Sequence, residues 1–182
     1  MKKLFLSTTL LVGLLSIQAH ADYVSPTTSV ASQAAQYSVI DINSLIKSAK
    51  AGQPAAQFYL ATKYQQGKDI SADERQAFAW YKAAADQGLS AAQLNVGRML
   101  ADGLGTKKDE SLARQYFEKA ASRGDNRASF NLAMMEEQKK NYMGAYQWYE
   151  LSTRDGMLDN KVITLSEGKK TALAANLTQD QI

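Results

Sequence analysis

The residue types that most often carry catalysis are scarce in this chain. Cysteine is absent and the single histidine is His20. A product lacking the first 21 residues would have no thiol chemistry, no disulfide, no soft metal ligand and no imidazole base. Hydroxyls and carboxylates remain. Glu136-Glu137 is one adjacent acid pair, but neighbouring positions on a helix point about 100° apart, and with Lys139 and Lys140 beside it the pair reads as a solvated charge cluster. Gly168-Lys169-Lys170-Thr171 has the ending of a phosphate-binding loop, yet the first glycine that loop requires would fall at Ile163, so the motif fails. Asn176-Leu177-Thr178 is formally a glycosylation sequon and carries no further weight. No cofactor and no metal site are expected, and the chain is read as non-enzymatic.

The first residues read as a processing signal. Lys2 and Lys3 form a positive start, residues 4–17 are an apolar stretch too short to span a bilayer well, and Ala19-His20-Ala21 has the small-residue pattern of a cleavage site. The expectation is a signal peptide over 1–21, cleaved after Ala21, and an exported, periplasmic product with no direct membrane insertion. With no cysteine at the cleavage point, lipid anchoring is not expected. Losing two lysines takes the formal charge from +3 to +1, which removes the case for nucleic acid as a partner. Residues 22–40, rich in Ser, Thr, Ala and Gln, read as a flexible linker.

From residue 41 the periodicity becomes helical and then repeats. Gly52-Gln-Pro-Ala-Ala-Gln57 returns 36 residues later as Gly88-Leu-Ser-Ala-Ala-Gln93, and Trp80-Tyr81-Lys-Ala-Ala84 returns as Tyr116-Phe117-Glu-Lys-Ala120. Such a period points to a helical solenoid. Asp41 or Asn43 caps a first helix with Ile42, Leu45, Ile46 and Ala49 on one side, stopped at Gly52. In each repeat a first helix, A, carries a stripe of small and aliphatic residues: Ala56, Leu60, Ala61 and Tyr64, answered by Ala92, Val96, Gly97 and Leu100. A second helix, B, carries Ala77, Trp80, Tyr81 and Ala84, answered by Ala113, Tyr116, Phe117 and Ala120. Asp73 is an N-cap, with Gln76 placed to complete a capping box, and Asp109 is its counterpart. The third copy has lost four loop residues and its tyrosine position is Glu136, which predicts a tight turn over residues 138–141 and a polar edge. A last helix, interrupted near Gly168, is expected to cover the open end with Val162, Leu165, Ala172 and Leu177.

The pattern Ala-x3-Leu-Ala-x2-Tyr, Gly-x-Gly, Asp-x3-Ala-x2-Trp-Tyr-x-Lys-Ala-Ala-x2-Gly resembles the Sel-one-like repeat, a subfamily of the tetratricopeptide-like helical repeats. The resemblance covers residues 41–156, and the ending at residues 177–182 is similar to the tail of exported members. It implies an all-α, right-handed superhelical solenoid of αα-hairpins: about three repeats plus capping helices over 41–182. It implies adaptor or scaffold activity and no shared chemistry. A cysteine-rich group in the family has been linked to β-lactam hydrolysis, which does not carry across to a chain without cysteine.

In solenoids of this kind the A helices line a concave groove. Phe58, Leu94 and Phe130 are equivalent positions lying roughly 135° from the stripe on the helical wheel, with Thr62, Arg98 and Met134 beside them. Asn95 and Asn131 resemble the asparagines that grip peptide backbones in the superfamily, and Arg98 and Arg127 are suited to a carboxylate. These nine residues are the candidate surface for a protein or peptide partner in the cell envelope. The competing readings are a structural subunit of an envelope machine and a hydrolase working with Ser and carboxylates.

Overall fold

The computed structural model describes residues 37, 40–154, 160–175 and 177. The expected leader, most of the expected linker and the sequon asparagine lie outside the described residues. Two units are distinguished, 1–39 and 40–182, and the helices below belong to the second. They are α1 (Ile42–Lys50), α2 (Pro54–Gln66), α3 (Glu74–Asp86), α4 (Ser90–Asp102), α5 (Glu110–Ala121), α6 (Asn126–Gln138), α7 (Tyr142–Arg154) and α8 (Asn160–Ala174). Among the described residues there is no strand.

Local chemistry sets these boundaries. Asp41 caps α1 by accepting from the amides of Asn43 and Ser44, each at 3.0 Å, and Pro54 opens α2 where a missing N–H is harmless. Asp73 caps α3 by accepting from the amides of Arg75 and Gln76. The reciprocal half of the expected capping box does not form. The Asp73 amide instead donates to the Tyr64 carbonyl at 3.0 Å, as Asp109 does to Leu100 at 2.9 Å. These bonds satisfy the orphan carbonyls at the ends of the preceding A helices, so the first and second hairpins close on backbone rather than on a glutamine side chain.

Helices pair as α2/α3, α4/α5 and α6/α7, and successive hairpins meet through α3 on α4 and α5 on α6, while α1 covers α2 and α8 covers α7. The core repeats with the sequence. Ala56, Leu60 and Ala61 are buried with Ala77, Tyr81 and Ala84, and their counterparts in the second and third hairpins are buried as well. One bulky ring per hairpin fills the space that the alanines leave, each burial contributing about 2–3 kcal/mol. Trp80, expected on the helix B stripe, and Trp148 of α7 are half-buried at the edge of the core.

The third hairpin turns as tightly as its missing residues require. The Asn141 amide donates to the Glu136 carbonyl, Lys140 takes φ +60°, and Asn141 caps α7 by accepting from the Gly144 amide. Glu136 is not an exposed edge, however. Its side chain is 9% exposed, paired with Arg114 and hydrogen-bonded by Asn141 at 2.7 Å.

The last helix also corrects the expectation. It runs unbroken through Gly168, and the side chains it buries are Ser166 and Leu173, seven positions apart. Leu165 is 48% exposed, Ala172 is exposed, and Val162 and Leu177 are half-buried. The face is set by a hydrogen bond between the buried hydroxyls of Ser152 and Ser166 at 2.6 Å, a pairing that rotates the apolar residues away from the position a hydrophobic count assigns them.

Candidate functional site

The nine candidate residues do not form one uniform ladder. Leu94 is 4% exposed and belongs to the core, so it can act only as support. Phe58 and Phe130 are half-buried, each edge-on to the aromatic ring of its own hairpin: Phe58 on Tyr81 with centroids 5.3 Å apart and Phe130 on Tyr149 at 5.4 Å. They are walls anchored in the fold rather than free anchors.

The polar candidates divide in the same way. Thr62 donates to the Phe58 carbonyl within its own helix, and its hydroxyl lies 3.0 Å from that of Tyr81, which donates to Gln65. Burial pushes the Tyr81 phenol up, and the Thr62 hydrogen bond and the charge of Arg98 pull part of that back. Arg98 therefore stands close enough to α3 for its field to be felt there. Arg127 is already committed: its Nε and Nη2 grip Asp125 at 3.0 and 2.7 Å. This fork pins the start of α6, where Asp125 also caps the Arg127 amide, and leaves Arg127 poorly placed to receive a partner's carboxylate.

Arg98, Asn131 and Met134 come together. They line a furrow of about 220 Å³ between α4 and α6, with Ala101, Phe117 and Met135 as its apolar lining. Met134 is 40% exposed. Asn131 donates its Nδ2 to the Arg127 carbonyl at 2.6 Å, so the amide oxygen is the group it can offer, a match for a peptide N–H. Asp102, Lys108 and Glu110 also line the furrow, Lys108 and Glu110 as an ion pair at 2.8 Å. That bond lowers the Glu110 carboxyl and raises the Lys108 amine. Asn95, half-buried, lies one turn before Arg98 on α4 and outside this furrow.

Sequence reasoning missed the acidic and basic residues at the furrow, since a helical wheel places a side chain on its own helix without saying which neighbour it faces. It also passed over Gln57 and Gln93, both buried, whose Nε2 atoms donate to the carbonyls of Ala49 and Ala85 at 3.2 Å. The signal was present, since both glutamines end the repeated Gly-to-Gln motif. Among the described residues no group of three or more His, Cys, Asp or Glu could hold a metal, and no helix is long and apolar enough to cross a membrane.

Comparison with known proteins agrees with this architecture. The chain resembles a Sel1 repeat protein from Oxalobacter formigenes with 26% identity and a TM-score of 0.60, over 74% of this chain and 63% of that one. It resembles c5321, a protective antigen of uropathogenic Escherichia coli with an SLR fold, with 29% identity and a TM-score of 0.58, over 59% of this chain. The matched part is 24% of that antigen's length. No curated protein matches. The Sel1 repeat model matches residues 54–89, 90–125 and 126–157, so the three hairpins seen in the structure are its three repeats, and the chain belongs to the Sel1-repeat family.

Proposed function

We propose that this protein is a non-catalytic adaptor of the cell envelope that holds an extended segment of a partner protein in the furrow between α4 and α6. Sel1-repeat proteins are generally protein-interaction scaffolds, and their fold is typically non-catalytic. The observation that carries the reading is the furrow's makeup: an exposed methionine, an exposed arginine and an asparagine oxygen lie over an apolar lining. Methionine adapts to varied apolar side chains, the asparagine oxygen accepts a backbone N–H, and Arg98 takes an acidic side chain. With three hairpins and a segment that is ordered on binding, affinity is modest. Export through a leader over 1–21 places the adaptor in the periplasm.

The test is a photo-crosslinking amino acid placed singly at Arg98, Met134, Gln76 or Gln147 in living cells. Positions 98 and 134 should yield the same protein adduct, and the exposed residues on α3 and α7 should not. Met134→Glu should weaken recovery of that adduct about tenfold with helical circular dichroism unchanged. Adducts of equal yield from all four positions would sink the reading.

A further inference from the structure

A second pocket, of about 480 Å³, opens at the opposite end of α4, where the turn between α3 and α4 meets the C-terminal half of α5. In the first hairpin the corresponding glutamine is paired at both ends of its amide. There Gln57 donates to Ala49, and its Oε1 accepts from Gln87 Nε2 at 2.7 Å. One repeat later Gln93 makes the same donation to Ala85, but its Oε1 is buried with no partner. The Ala85 carbonyl also accepts the Gly88 amide at 2.9 Å, and a flipped Gln93 would set oxygen against oxygen there, so Oε1 remains the orphan acceptor, on a residue that lines the pocket.

The cause is one substitution between repeats. Arg123 stands 36 positions after Gln87, and its guanidinium lies over Gly88, 3.1 Å from where a Cβ would be. Among the described residues Arg123 has no ion pair. Lys119 is held over the Tyr116 ring at 5.2 Å, beside the same pocket. The acid present, Asp86, is bound to Lys82 at 2.7 Å. The α4 N-terminus also opens here without a side-chain cap. Among the described residues, then, two cations that form no ion pair line this pocket beside one buried acceptor.

We propose that this pocket binds the free C-terminal carboxylate of a peptide, Arg123 swinging off Gly88 to take the carboxylate while Gln93 Oε1 accepts the N–H of the terminal residue. The guanidinium fork suits a carboxylate's two oxygens, and the terminal N–H is the nearest donor such a ligand carries. A simple anion lacks that donor and an amidated terminus lacks the charge, so both are discriminated against.

The probe is N-acetyl-glycylglycine, titrated into the full chain and followed by amide NMR. Saturable shifts should appear in residues 86–93 and 116–123. The C-terminal amide of the probe, and acetate, should each bind about tenfold more weakly or worse. Arg123→Gln recreates the Gln57–Gln87 pairing, so it should abolish binding while holding or raising Tm. Met134→Glu should leave this binding unchanged, which separates the proposal from the furrow reading. It is overturned by absence of saturation, by equal affinity for the acid and the amide, or by unimpaired binding in Arg123→Gln. If that variant gains stability while no probe binds the parent, Gln93 lacks only an internal partner and there is no site.

Discussion

Two single residues show how tightly the repeats constrain their members. Gly97 occupies the position that is Ala61 and Ala133 in the other hairpins, and a Cβ there would lie 2.6 Å from Cε1 of Phe117. Gly97→Ala gains about 1 kcal/mol of helix propensity but overpacks a buried ring at about 1–3 kcal/mol. A net loss of up to about 2 kcal/mol is expected, read as a lower denaturant midpoint with unchanged slope. Lys140 presents the reverse case. The shortened turn has no glycine, and Lys140 holds φ +60°, a region costing a side chain about 1 kcal/mol. Lys140→Gly should raise stability by up to that amount, visible as a Tm increase of a few degrees.

At the scale of elements, the join between the second and third hairpins depends on Arg114 of α5 and Glu136 of α6. Arg114 has a second carboxylate, Glu118, at 2.9 Å, whereas Glu136 keeps only Asn141 if the arginine is removed. The two deletions should therefore be unequal. Arg114→Leu strands a largely buried charge and is expected to cost about 2–3 kcal/mol, less than a fully buried pair. Glu136→Leu restores the residue type that the previous repeat carries at Leu100 and should cost under about 1 kcal/mol. Comparing the two midpoints by chemical denaturation tests this, and equal losses would show that the pair does not join the hairpins in this way.

For the whole molecule, a solenoid is a chain of nearest-neighbour interfaces whose ends need covering. Here the C-terminal cover is partly ionic: Lys169 of α8 reaches Glu137 at 3.0 Å and Lys170 reaches Glu150. Burial raises the Glu137 carboxyl, but hydrogen bonds from Lys169 and Tyr149 outweigh it and the group is held below its ordinary 4.5. Burial of Glu136 is likewise outweighed by Asn141 and Arg114, and Lys170 lowers Glu150. A carboxylate lowered by folding stabilises the folded state above its unfolded value. That contribution is lost as pH falls through the folded one. Tm should be insensitive to these groups at neutral pH and should fall below about pH 4.5, with hydrogen exchange rising first in α7 and α8. Glu137→Gln should flatten the acid limb.

Much of this was legible in the sequence, because a repeat displays its own rules. Spacing that recurs at 36 residues identified the hairpins, the Asp caps, the small-against-large core and the three-repeat count, since each depends on contacts within one hairpin or between identical neighbours. Where repeats differ, the tertiary structure decided. Leu94 proved to be core because the α4 register, not the wheel of one helix, determines how far it sits from solvent. Arg127 was claimed by Asp125, Glu136 was buried by an arginine 22 positions away, and α8 turned on a serine pair that no hydrophobic count weighs. The orphaned Gln93 oxygen belongs to the same class. The repeated glutamine could be read from the chain, but the loss of its partner depends on three helices meeting at one point.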